Sequence, residues 1–134
     1  MKFISAITAF GLMALAAAST DAAAQCGDLE VLNVAEIDLP AGVDASQIRA
    51  CKNHPEGLAK DNAVDKRTCW NGDPVGCSKN GYCFKSCGAT GSGEWCWTAL
   101  NGGLGNWKVC NSAADCSSSD DCGAGNCKEC GCSC

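Results

Sequence analysis

The chain has 134 residues, of which 14 are cysteines and one is a histidine, and 15 acidic against 10 basic side chains give a net charge of −5. A cysteine content of about one residue in ten is typical of a disulfide scaffold in a short secreted protein. The acidic balance gives no electrostatic basis for binding nucleic acid. A chain of this length has room for one domain.

The N-terminus has the pattern of a secretory signal. Lys2 provides a positive charge, residues 3–18 form an apolar run, and three small residues end at Ala24. Because the run is shorter than the roughly 20 residues of a membrane-spanning helix, we interpret residues 1–24 as a signal peptide, with cleavage after Ala18 as the alternative. The mature protein is then expected to be secreted and extracellular, in an oxidising environment where cysteines pair.

Two segments of the mature chain differ in cysteine content. Residues 25–67 contain only Cys26 and Cys51, whereas residues 68–134 contain twelve cysteines. The Lys66-Arg67 pair at the border resembles the sites cut by Kex2-like processing proteases. Residues 25–67 are therefore either a propeptide or a small subdomain tied by a Cys26–Cys51 bridge, and the even cysteine counts let each segment close its own disulfides.

The first segment is ordinary in composition. Apolar residues spread over 29–39 predict one or two short strands ending at Pro40, and Asp44 is suited to cap a short helix that runs to Arg49. His54 is expected to be an exposed loop residue.

The cysteine-rich segment 68–134 contains only ten apolar side chains other than alanine and cysteine, too few for a self-sufficient core, so cross-links must replace it. Ser78 is suited to cap a helix that places Cys83 and Cys87 on one face and ends near Gly88. Alternation over 94–98 predicts a strand, Asn101-Gly102-Gly103 a turn, and residues 106–110 a return strand.

The spacing of five cysteines in this segment, at Cys77, Cys83, Cys87, Cys96 and Cys110, resembles the cysteine-stabilised αβ fold of scorpion long-chain toxins, other knottin-like toxins and defensins. The resemblance covers residues 77–110 and implies a short helix packed on a β-hairpin. The fold class is therefore expected to be a small disulfide-rich α+β domain with a cysteine-rich C-terminal extension.

The same resemblance implies a disulfide pairing. Cys77 would bond to Cys96, and Cys83 and Cys87 would tie the helix to the second strand. The family places two cysteines on that strand, whereas this chain has Cys110 alone, so one helix cysteine would find its partner at Cys116 or in the tail. In architecture, the signal peptide, dibasic pair and compact body resemble small secreted cysteine-rich proteins of fungi, including candidate effectors.

Catalysis is disfavoured because segment 68–134 has no histidine and its carboxylates show no spacing that implies an acid–base pair. Its aromatic residues are more informative. In a strand, Trp95 and Trp97 share the face opposite Cys96, so both indoles would point outward if the sulfur points inward. The alternative is that the first segment or the tail covers them. The candidate binding residues are five aromatic residues and three lysines that would give them a positive rim: Tyr82, Phe84, Trp95, Trp97, Trp107, Lys79, Lys85 and Lys108.

Two other functions stay open. Residues 77–83 resemble the Cys-Ser-x-x-Gly-Tyr-Cys stretch of hevein-type lectin modules, in which Tyr82 would stack on a chitin sugar. The cysteine density of 122–134 is similar to that of metallothioneins, although secretion favours disulfides over metal-binding thiolates. We expect a monomeric, non-enzymatic, cofactor-free toxin-like or effector protein that binds an extracellular protein, membrane or cell-wall target of another organism.

Overall fold

The structure, a computed structural model, describes the backbone of residues 17–56, 69–125 and 132–133 and the side chains of 21–56 and 69–125. Helix α1 is Ala17–Cys26, and the strands are β1 (Val75–Cys77), β2 (Cys83–Ser86), β3 (Trp95–Trp97) and β4 (Cys132–Ser133). Single turns of 3-10 helix occupy Gly27–Leu29, Val34–Glu36, Ala45–Gln47 and Ala113–Asp115. The expected class, a small disulfide-rich α+β protein, is confirmed.

The strands form one antiparallel sheet in the order β1-β2-β3-β4. Gly76 lies opposite Phe84, and Phe84 lies opposite Trp97, whereas Lys85 lies opposite Cys96. Because side chains alternate along a strand, the aromatic residues share one face and the cysteines share the other. We call these the aromatic face and the disulfide face of the sheet.

Disulfides join the disulfide face to the part of the chain between β3 and β4. The bonds are Cys77–Cys110, Cys83–Cys116 and Cys87–Cys122, and a separate bond, Cys26–Cys51, closes the first segment as expected. Cys69 and Cys96 are also disulfide-bonded, and no cysteine among the described residues is free. This cysteine-rich character indicates an extracellular or secreted protein.

The prediction of a helix over residues 78–87 is wrong. Residues 78–81 form a tight turn in which the amide of Gly81 donates to the carbonyl of Ser78, and Cys83–Ser86 is strand β2. Gly81 has φ of +85°, a left-handed conformation that ends any helix beginning at Ser78. The Ser78 hydroxyl accepts a hydrogen bond from the amide of Tyr82, so it caps this turn.

The pairing implied by the toxin resemblance is wrong in part. Cys77 bonds to Cys110, not to Cys96, and both cysteines of β2 and its end bond beyond the hairpin. One of the two alternatives, that a cysteine of this element pairs with Cys116, is confirmed by the Cys83–Cys116 bond. In place of a helix tied to a hairpin, the disulfides tie a β-meander to its C-terminal loop.

Other local expectations have mixed outcomes. The strands expected over 29–39 are absent from the described first segment, where 3-10 turns and one isolated bridge, Val31 with Cys51, occur instead. Asp44 does cap, accepting from the amide of Ser46, but the helix is the single turn Ala45–Gln47. The strand over 94–98 and the turn at 101–103 are confirmed by β3 and by the positive φ angles of the turn. The return strand reduces to isolated bridges at Trp107 and Val109.

The first segment packs against the body formed by residues 69–125. Its buried side chains are Cys26, Leu32, Arg49 and His54, and those of the body include Cys83, Cys96, Trp97, Thr98, Ala99 and Leu104. The apolar run at 3–16, the Lys66-Arg67 pair and the side chains of the cysteine-rich tail lie outside the described residues. Among those that are described, no helix is long and apolar enough to cross a membrane.

Candidate binding site

The aromatic face of the sheet carries an open apolar groove. We call the cleft of about 170 Å³ lined by Trp70, Ser78, Phe84, Trp95 and Trp97 the aromatic groove. Phe84 lies at its centre, with the ring centroids of Trp70 and Trp95 at 5.8 and 5.9 Å in edge-to-face arrangements. Gly76 makes room for the Phe84 ring, which a Cβ at position 76 would overlap.

Trp70 forms the exposed wall of the aromatic groove. Its side chain is 44% exposed, the largest exposure among the aromatic residues of the groove. The indole N–H donates to the carbonyl of Asp73 at 2.7 Å, and the backbone amide donates to the carbonyl of Gly93. The ring packs against Gly72, where a side chain would collide with it. Trp70 is therefore held in one orientation while it stays accessible.

A second aromatic cluster lies beside the groove and is closed by the first segment. The imidazole of His54 stacks on Trp97 at 4.3 Å and contacts Tyr82 at 4.5 Å and Trp107 at 4.8 Å. We call Tyr82, Trp97 and Trp107 the aromatic cage. His54 is 1% exposed, and its Nδ1 accepts a hydrogen bond from the amide of Glu56 at 3.0 Å. The expectation that His54 is an exposed loop residue is wrong.

Arg49 adds a buried charge next to the cage. Its guanidinium lies 4.1 Å from the centroid of the Trp107 ring and donates to the carbonyls of Gly103 and Ala124 in the body. Two further donations reach the carbonyls of its own segment, at 51 and 52. Burial lowers the pKa of Arg49 to about 10, so the group remains charged at neutral pH. The four acceptors and the indole face offset the cost of removing this charge from water.

The tryptophans of β3 are positioned as the alternation predicts, but their exposure differs from the expectation. Cys96 is 1% exposed, and Trp95 and Trp97 lie on the other face with centroids 5.0 Å apart. Trp97 does not point into solvent, because it is 6% exposed and His54 covers it. For Trp97 the alternative expectation is therefore confirmed, since the first segment covers its indole. Trp95 stays half-buried at the edge of the aromatic groove.

The three candidate lysines occupy different surroundings. Lys108 Nζ pairs with Asp120 at 2.7 Å, and Lys85 Nζ donates to the carbonyls of Ser118 and Asp120 at 2.7 and 2.8 Å. Burial raises the pKa of Asp120, but the hydrogen bonds from Lys108 and the Ser117 amide and the nearby lysine charges outweigh it, so the pKa lies below its usual value. These two lysines fasten the loop at 117–121, whereas Lys79 is exposed.

Sulfur atoms cluster on the disulfide face. In each of two groups, the three sulfur atoms lie within 4.8 Å of one another. One group is Cys77, Cys110 and Cys116, and the other is Cys87, Cys96 and Cys122. Every one of these six is disulfide-bonded, so the groups are adjacent bridges and offer no thiolate to a metal ion. The metal-binding hypothesis then depends on the cysteines of the tail after residue 125.

Reasoning from the sequence missed Trp70, Arg49 and His54. Trp70 lies more than twenty residues before the hairpin predicted at 94–110. Its place in the groove follows from the turn at 71–74 that leads into β1. Arg49 and His54 belong to a polar stretch with no hydrophobic periodicity. The one available signal was composition: a body with few apolar side chains needs partners from the rest of the chain.

Comparisons with known proteins give no assignment. Neither the family models, nor the curated proteins, nor the solved structures yield a match to this chain.

Proposed function

We propose that this protein is a secreted, non-enzymatic binding protein, toxin-like or effector-like, that docks on an extracellular protein of another organism through the aromatic groove. The observation that carries the proposal is Trp70, an exposed tryptophan fixed in one orientation over an apolar cleft. Tryptophan is among the residues that dominate binding energy in protein interfaces, above all where it lies beside a pocket that a partner side chain can fill.

The size of the groove favours a protein partner over a free small molecule. At about 170 Å³ it is smaller than the roughly 300 Å³ at which pockets for drug-sized ligands begin. A cleft of this size suits one apolar side chain of a partner. Because disulfides and the Asp73 carbonyl hold the walls in place, little conformational entropy is lost on binding.

Carbohydrate binding is the second candidate, supported by the exposure of Trp70. The geometry around it favours this less, since the rings of the groove stand at 71° and 81° to one another and form no flat platform for consecutive sugars. Tyr82, the residue matched to the hevein-type stretch, contacts His54 in the aromatic cage. Within the toxin-like proposal, the name knottin rests on the cysteine spacing of residues 77–110. The name fungal effector rests on the predicted signal peptide, the dibasic pair and the cysteine-rich body.

The test uses fluorescently labelled full-length protein on intact plant, insect and vertebrate cells and on chitin beads. We expect saturable retention on one class of cells, lost when surface proteins are digested. Trp70→Ala should weaken retention at least tenfold, whereas Leu100→Ala, at a 55% exposed apolar position outside the groove, should leave it unchanged. Equal retention on cells by the Trp70→Ala variant and the unmodified protein contradicts the proposal. Retention on chitin that is lost in Trp70→Ala favours the second candidate.

A further inference from the structure

The two halves of the mature chain are held together without a disulfide between them. Cys26 and Cys51 are the only cysteines in residues 25–67 of the sequence, and they bond to each other. No cysteine of the described range 25–56 is therefore left to bridge the body. What joins 25–56 to the body, apart from the connecting chain, is a set of non-covalent contacts.

In the first of these contacts, backbone carbonyls of the body bind Arg49 of the segment. The turn at 101–103 has positive φ at all three residues, and the chain after it presents the carbonyls of Gly103 and Leu104. The guanidinium of Arg49 donates a hydrogen bond to the carbonyl of Gly103 at 2.8 Å. The backbone amide of Arg49 donates to the carbonyl of Leu104 at 2.9 Å. The side chain and the backbone of Arg49 thus bind two consecutive carbonyls of the body, which fixes the position of the segment along it.

The second contact is a pair of reciprocal hydrogen bonds. The amide of Asp44 donates to Oδ1 of Asn101 at 2.8 Å, and Nδ2 of Asn101 donates to the carbonyl of Asp44 at 2.8 Å. The side-chain amide satisfies both polar groups of one peptide residue, as a neighbouring strand would. It therefore recognises the backbone of the segment independently of its side chains.

The third contact is the aromatic cage. His54 inserts between Tyr82, Trp97 and Trp107, all of which belong to the body, and is fully enclosed. The arrangement has the form of peptide recognition: an anchor side chain in a pocket, a second anchor on carbonyl groups, and backbone hydrogen bonds between them.

We propose that residues 69–125 form a peptide-recognition site whose ligand is the chain's own segment 25–56, and that a cut between the two leaves the segment bound as a separate, non-covalent subunit. Processing at Lys66-Arg67 would then produce a two-chain protein, not a released propeptide. The aromatic cage would stay covered, and the aromatic groove, which lies next to it, would stay in its present shape because Trp97 belongs to both.

The experiment uses full-length secreted protein with the recognition sequence of a site-specific protease inserted after Arg67. After cutting, we expect both fragments to coelute in a 1:1 ratio from a sizing column in native buffer. In denaturant without reductant they should separate, because no bond joins them. Separate elution in native buffer overturns the proposal, and so does a cut protein that denaturant alone cannot separate.

A pair of variants tests which contacts hold the segment. Arg49→Ala in the cut protein should shorten the lifetime of the complex at least tenfold, since the hydrogen bonds to the Gly103 and Ala124 carbonyls and the contact with the Trp107 ring are lost. Leu39→Ala, in the same segment at a 39% exposed position, is the matched control and should change the lifetime less than twofold. Equal lifetimes for the two variants contradict the assigned recognition site. This outcome is independent of the aromatic groove, since neither residue lines it.

Discussion

Replacing His54 tests whether the first segment and the cysteine-rich body fold as one packed unit. The imidazole is 1% exposed and stacks on Trp97 at an angle of 13°. Tyr82 and Trp107 contact it at steep angles of 79° and 68°, so three rings enclose it. Alanine at this position would leave a void with aromatic walls that neighbouring backbone cannot fill, because Trp97 is fixed in strand β3.

The magnitude follows from two contributions. Truncating a buried aromatic ring to alanine costs about 3–5 kcal/mol, and each aromatic pair contributes about 0.5–1.5 kcal/mol beyond its buried area. Since the imidazole is smaller and more polar than a phenyl ring, we expect His54→Ala to lower the free energy of unfolding by about 3 kcal/mol. His54→Phe keeps the ring contacts and loses the hydrogen bond from the Glu56 amide, which is a cost of about 1 kcal/mol.

Urea unfolding without reductant, followed by tryptophan fluorescence, measures both values. The reporter is well placed, because two of the four tryptophans of the chain contact His54. Leu39→Ala, at an exposed position of the same segment, should change the free energy of unfolding by less than about 0.5 kcal/mol. A destabilisation by His54→Ala no larger than that of Leu39→Ala would refute the enclosed position of the ring and, with it, the packed interface.

Two further predictions concern the backbone and the loop on the disulfide face. Gly103→Ala should lower the free energy of unfolding by at least about 2 kcal/mol, because position 103 combines φ of +86° with a Cβ that would overlap a cysteine carbonyl oxygen. Gly42→Ala, with φ of +89° and open space around the Cβ, should cost about 1 kcal/mol, and denaturant curves of equal midpoint would contradict this account. The lowered pKa of Asp120 means that its contribution to stability is present above the unfolded-state pKa of about 3.9 and is lost as pH falls through the lower folded value. The NMR shift of the Ser117 amide, which donates to Asp120, should titrate with a midpoint below 3.9 and should lose this step in Asp120→Asn; a midpoint at or above 3.9 contradicts the arrangement.

Cysteine spacing predicted the class of fold but not its elements, and residues 83–87 show why. Positions four apart lie on one face of a helix, and they also lie on one face of a strand, because four is close to one period of 3.6 and is twice the period of 2. Cys83 and Cys87 both face the disulfide-bonded loop, as a helix would have required. The choice between the two structures depended on Gly81, whose left-handed φ forms a turn before β2.

The candidate site was predictable on the sheet and not beyond it. Alternation around Cys96 correctly placed Trp95 and Trp97 on one face, because that property is local to a strand. Their exposure depends on what packs against the face, and His54 comes from a part of the chain with no pattern that predicts burial. Trp70 joins the groove through a turn whose hydrogen bond to Asp73 has no sequence signature. Local rules therefore gave the orientation of side chains, and tertiary contacts decided which of them solvent reaches.

The distribution of cysteines suggests two independent halves, yet the distribution of buried polar groups argues for one unit. The body lacks enough large apolar side chains for a core, and the first segment supplies a ring and a guanidinium in their place. Unlike an aliphatic side chain, Arg49 satisfies specific carbonyls at Gly103 and Ala124, which would need other hydrogen-bond partners if the segment left. A cut in the connecting chain removes none of these contacts, whereas departure of the segment removes all of them. A cut between the two halves, as proposed above, should therefore leave the segment bound, because only its departure would leave the Gly103 and Ala124 carbonyls without the guanidinium of Arg49.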